Sequence, residues 1–185
     1  MLPLSDFLAG DCVAVVSCAV SAFFDLRVRR IPNWLTASTA IAGLCAQLLM
    51  SLWISHTSPW PAIGGALAAG AVALLSFFPL SHWGVVGFGD TKLLGAIGIC
   101  VGWPLVVRLL VCTLLSGGVI ALFYGLITGQ LRGAFTNLMK RVNLGNARID
   151  EPGHGLHEMP FGLAIALGTL WAIASRYHPA LSPLP

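Results

Sequence analysis

Charge is scarce in this sequence. Ten Lys and Arg and seven Asp and Glu are spread over 185 residues, so 9% of positions are charged against 57% apolar. With a mean hydropathy of +0.86, that balance excludes an ordinary soluble domain and puts the chain in a lipid bilayer. A formal charge of +3, with no basic stripe interleaved with aromatics, gives no argument for a nucleic-acid partner. The basic residues read as topology signals instead. There is no C-x-x-C pair, and no cluster of histidines completes a metal site, so neither metal nor cofactor is expected. Cys12, Cys18, Cys45, Cys100 and Cys112 all lie in apolar stretches and read as buried thiols. The N-terminus lacks a basic region ahead of its apolar run and a cleavage site, so the first helix is expected to stay as an anchor. With no repeat, low-complexity tract or second domain in view, residues 1–185 are expected to form a single integral membrane domain.

Long hydrophobic runs are what the sequence does have. A spanning helix needs about 20 mostly apolar residues, and the pattern predicts an all-α protein with six transmembrane helices near 6–25, 34–54, 61–80, 90–105, 107–128 and 159–177. The fourth and fifth form one run, Lys92 to Thr128, too long for one helix. The break belongs at "GWPLVVR", where Gly102 and Pro104 weaken a helix and Arg108 needs water. This count gathers Arg27, Arg29, Arg30, Lys92, Arg132, Lys140, Arg141 and Arg148 on one side, leaving Arg108 and Arg176 on the other. The positive-inside rule then makes the first side cytoplasmic, together with the loop 129–158, and puts both termini on the outer, periplasmic side.

On that arrangement the first helix ends at Asp25 and the fourth begins at Asp90, at the same depth near the inner boundary. Acids inside membrane segments are rare and usually functional. Two carboxyl groups a few ångströms apart do not both ionise comfortably, and such a pair can act as general acid and general base on a water and an amide, titrating as a unit. Gly87 and Gly89 remove side chains just before Asp90, allowing a tight turn and close approach of a substrate backbone. The helix start behind them offers free N–H groups. Lys92 either snorkels to the interface, biases the acids electrostatically or marks the inner boundary. Each acid also has a plain structural reading: Asp25 neutralised by Arg27 or Arg29, and Asp90 as a helix N-cap.

Other polar residues read more simply. His154, His157 and Glu158 form a polar segment before the last helix, short of a fourth metal ligand. Asp6 and Asp11 open the first helix, where capping or interfacial placement is expected. Trp53, Trp60, Trp103 and Trp171 sit near outer ends, as interfacial rings do. Gly64 with Ala68, and Gly65 with Ala69, have the small-xxx-small spacing of close helix packing.

"FFDLRVRRIPNWLT" (23–36), "GFGDTKLLGAIG" (87–98) and "MPFGLAIALG" (159–168) resemble, in order, segments of the type IV prepilin peptidase family, intramembrane aspartic proteases with a G-x-G-D motif. The resemblance runs from the first helix to the last. It implies an endopeptidase that removes the short basic leader from prepilins or pseudopilins at the cytoplasmic face of a bacterial inner membrane, with Asp25 and Asp90 catalytic. It makes Pro32 and Asn33 a family "IPN", where proline sets the loop and asparagine caps the second helix. Glu158 would lie where an acid meets a basic leader. Larger members carry a cytoplasmic segment with paired C-x-x-C motifs and also methylate the mature pilin. That segment and a glycine-rich nucleotide fingerprint are missing from this sequence, so cleavage without methylation is expected. In size it resembles the compact peptidases of tight-adherence (Flp) pilus systems. Two other readings of paired acids stand beside this one: a proton-coupled small transporter or channel, and a noncatalytic pilus-assembly scaffold. The particular substrate and the oligomeric state are not legible in the residues.

Overall fold

The computed structural model describes residues 8–28, 32–53, 56, 58–82, 86–128, 161–178 and 182–183. Among them are six helices and no strand: α1 (Leu8–Val28), α2 (Asn33–Trp53), α3 (Pro59–His82), α4 (Phe88–Val101), α5 (Leu105–Thr128) and α6 (Phe161–Tyr177). The hydropathy pattern foresaw each of them to within a few residues. By length and composition, Asn33–Trp53, Pro59–His82 and Leu105–Ile127 can cross a membrane, and α6 is a shorter apolar helix. Their outer faces carry large apolar side chains such as Ile41, Leu75, Phe123 and Ile127, as lipid-facing surfaces do. Arg29, Arg30, Asp6, the loop 129–158 with its basic residues, His154, His157 and Glu158 lie outside the described residues.

The chain breaks where the long run was expected to break. α4 ends at Val101, and Gly102 takes φ 71° and ψ −178°, a conformation that favours glycine, while donating its N–H to Gly98 O at 2.9 Å. Four residues after Cys100 comes Pro104, which has no N–H, so the Cys100 carbonyl lacks its helical partner. Gln47 of α2 supplies one, its Nε2 donating to Cys100 O at 2.9 Å.

α4 packs against α1, α2, α3, α5 and α6. At 14 residues it is about 21 Å long, short of the ~30 Å hydrocarbon core, so the span expected at 90–105 is a shorter buried helix. A helix enclosed by its neighbours has no hydrocarbon thickness to match. Leu93, Leu94 and Ile97 are fully buried, against Phe77 of α3, Val106 and Leu109 of α5 and Ile165 of α6.

The closest approach of α3 to α4 uses one member of the expected small-residue pairs, Ala69. Gly64 has open space around it, and Ala68 is exposed. The packed face holds Ala66, Ala69, Gly70 and Ala73, and a Cβ on Gly98 would lie 3.0 Å from both Ala69 O and Ala73 Cβ. Spacing alone identifies small pairs but not which face meets the neighbour. The cysteines also divide. Cys18, Cys100 and Cys112 are buried, whereas Cys12 and Cys45 are exposed, because a thiol is as well accommodated by lipid as by a core.

Candidate active site

The last turn of α1 and the first turn of α4 come together at one end of the bundle. Asp25 stands in the first of these and Asp90 in the second, and their carboxyl groups lie within electrostatic reach of each other. Lys92 and Asn33 share this end: Lys92 Nζ donates to Asn33 Oδ1 at 3.5 Å. At the opposite end Arg176 pairs with Asp11 and lies within electrostatic reach of Arg108. The described basic residues thus separate as the span count required, Arg27 and Lys92 from Arg108 and Arg176.

Asp25 is fixed from across the fold. The backbone N–H of Gly162, in the first turn of α6, donates to Asp25 Oδ2 at 3.0 Å. That donor is one of the four N–H groups a helix start leaves without a partner, so one contact satisfies the helix end and orients the acid. The approach requires glycine: a Cβ there would stand 2.7 Å from Asp25 Oδ2 and 3.1 Å from its Cβ and Cγ. The segment 159–168 stands out in the sequence, but nothing in it singles out Gly162. The available signal was a glycine just after Pro160 at a helix start, and its partner lies 137 residues away. Arg27, considered as a neutralising partner for Asp25, has its guanidinium 5.1 Å from the centre of the Phe23 ring.

Asp90 is not the N-cap. Gly87 holds that position, and Asp90 is the third residue of α4, whose side chain turns back toward the Gly87 amide. This is the acid's half of a capping box. Gly87 has φ −65° and ψ 143°, ordinary extended backbone, so the tight turn expected of it is not what requires glycine. Space is: a Cβ would lie 2.9 Å from Asp90 Oδ2. Gly89 is helical and half-buried. Asp90 Oδ1 is buried and has no hydrogen-bond partner among the described residues.

Of the other expected site residues, Lys92 is exposed and turned to Asn33. Asn33 is the first residue of α2 and faces Lys92, so its side chain reaches α4, where a cap on its own helix had been expected. The first turn of α2 is closed by Leu35 N–H donating to Pro32 O at 3.0 Å, and the loop that Pro32 was expected to set lies outside the described residues. Asp11 corrects the expectation of a bland cap. It is 5% exposed and paired with Arg176 Nη1 at 2.8 Å, with Tyr177 Oη donating to the same carboxylate oxygen at 3.4 Å.

The model of the "Type IV leader peptidase family" matches residues 12–126, which include Asp25 and Asp90 and end before α6. The chain is also similar to the prepilin leader peptidase/N-methyltransferase of Burkholderia pseudomallei strains 1026b and K96243. Each is 32% identical over 117 residues, 61% of this chain and 35% of the relative. The chain therefore spans about a third of the length of the curated relatives it matches. No solved structure matches it. A family match over more than half the residues, on a helical chain with several membrane-crossing segments, describes a multi-pass membrane protein. It belongs to the type IV leader peptidase family.

Proposed function

We propose that this protein is an intramembrane aspartyl endopeptidase that removes the basic leader of a type IV prepilin or pseudopilin, working as one membrane domain at the cytoplasmic face of a bacterial inner membrane. The observation that carries the reading is the approach of Asp25 and Asp90 at one end of the bundle. One acid, ionised, takes a proton from water as that water attacks the scissile carbonyl. The other, protonated, gives its proton to the departing amine. Asp90 Oδ1, the oxygen without a protein partner among the described residues, is the one left for water or amide. Gly162 N–H holds Asp25 Oδ2 in place, and Gly87 leaves room for Asp90 Oδ2.

The substrate assignment draws on the family and on the names of the Burkholderia relatives. Those names include a second, N-methyltransferase activity. The proposal covers cleavage alone, since the paired C-x-x-C segment that the resemblance links to methylation does not occur in these 185 residues. The span count of the sequence assigns most of its basic residues to the side of Asp25 and Asp90, which supports a cytoplasmic placement of these acids, with the termini outside. Acids at the bundle's end also suit a leader at the interface better than transport, whose sites tend to the midplane. Coexpression with a candidate prepilin tests the reading: the prepilin should lose its leader by gel mobility and mass only when this protein is present. A prepilin left uncut in every such pairing would refute it.

A further inference from the structure

The acid at the far end of α1 is tied to the same helix that holds Asp25. Asp11 pairs with Arg176 at 2.8 Å, and Asp25 accepts from Gly162 N–H at 3.0 Å. Between them Cys18 meets Thr169 side chain to side chain, both almost fully buried. The three α1 residues are seven positions apart, and so are the three α6 residues, taken in the opposite direction. The residue numbers of every rung add to the same total, so α1 and α6 run antiparallel in one uninterrupted register. Asp11, Ala14, Cys18 and Ser21 continue the alternating three-four spacing of a heptad seam, and all four are buried.

In such a seam apolar positions tolerate sliding, and a polar pair does not. A displacement of one residue moves a helix about 1.5 Å and turns it by about 100°. In lipid that would break the contact between Asp11 and Arg176, a severe cost for a buried ion pair. Placing an ion pair where small apolar residues would pack is the arrangement that specifies register at the expense of stability. The structure assigns this role to Asp11 and Arg176: we propose that they are positioning residues, whose ion pair locks the register of α1 on α6 and thereby sets the height at which Asp25 meets the Gly162 amide. The catalytic half of this inference rests on the reading of Asp25 as one of the two catalytic acids; the register half does not.

Two readouts test the halves separately. Register is read by oxidising Cys18 against Thr169→Cys in a chain whose other four cysteines are replaced by serine, in membranes. Catalysis is read as kcat and KM on a prepilin, in the otherwise wild-type chain. Asp11→Asn and Arg176→Gln each remove one half of the ion pair and are expected to lower kcat about 10- to 100-fold, as a misplaced catalytic group does, with KM within about twofold. Arg176→Lys keeps the charge and should recover most of the loss seen with Arg176→Gln. The double variant Asp11→Asn/Arg176→Gln removes both charges of the pair together and keeps the test available if a single variant fails to fold. It should still lower the disulfide yield about threefold or more, because a turned helix carries the thiol out of bridging range, and should lower kcat with it. A double variant with wild-type yield and kcat overturns the proposal. Loss of kcat at unchanged yield overturns the register lock, and loss of yield at unchanged kcat overturns the positioning role. A wild-type protein that cuts no prepilin refutes the protease reading and the catalytic half with it, while the disulfide yield still decides the register.

Discussion

Gly162 N–H donates to Asp25 Oδ2 at 3.0 Å, joining the start of the last helix to the end of the first. The bond gives α6 a share in the site although the family match stops at residue 126. It also makes the site depend on a hydrogen atom in place of a methyl group, since a side chain at 162 would occupy the space of the carboxyl.

Gly162→Ala should therefore lower leader cleavage by about 100-fold, the scale on which a small misplacement acts, at a protein level in the membrane close to wild type. Gly87→Ala should act in the same direction through Asp90, whose Oδ2 would lie 2.9 Å from the new methyl. Initial cleavage rates on one purified prepilin, normalised to folded protein, check both. Wild-type rates would show that the carboxyl positions do not matter.

Two other glycines separate packing from helix propensity. Gly64 sits in α3 with nothing within 4 Å of where a methyl would stand, and Gly64→Ala should stabilise the protein by about 0.5–1 kcal/mol. Gly70 is pressed against α4 at Ile99 and Gly95, and Gly70→Ala should cost about 1–3 kcal/mol. Thermal unfolding in detergent, where the two midpoints should move in opposite directions, measures the difference.

Gln47→Leu keeps much of the side-chain volume and removes the donor to Cys100 O. With Pro104 unable to replace it, that carbonyl is left unmatched, at a cost of about 1–3 kcal/mol. The expected outcome is a lower unfolding midpoint. The site lies at the other end of α4, so cleavage at temperatures where the protein stays folded should change little.

The helices and the break between α4 and α5 were legible because each follows from a local property: apolar length, a Gly that adopts positive φ, a Pro without an N–H. Asp25 and Asp90 could be named because charge in an apolar run stands out and a count of spans gives its depth. What could not be read depends on facing residues far apart in the chain. Asp11 has the look of a cap in the sequence, and only the fold sets Arg176, 165 residues on, against it. Gly162 and Gln47 are ordinary letters whose roles come from Asp25 and from the Cys100 carbonyl. The expected pairs Gly64/Ala68 and Gly65/Ala69 had suitable spacing, but of these four only Ala69 lies on the buried face of α3, beside Ala66, Gly70 and Ala73.

Rates of leader release by purified protein, measured for wild type, Asp25→Asn, Asp90→Asn and the double variant, bear on the pair itself. Residues that act as a unit lose as much singly as together, so each single variant should fall to background and the double should fall no further. A single asparagine variant that still removes the leader at a rate near wild type would contradict the assignment of Asp25 and Asp90 as the catalytic pair.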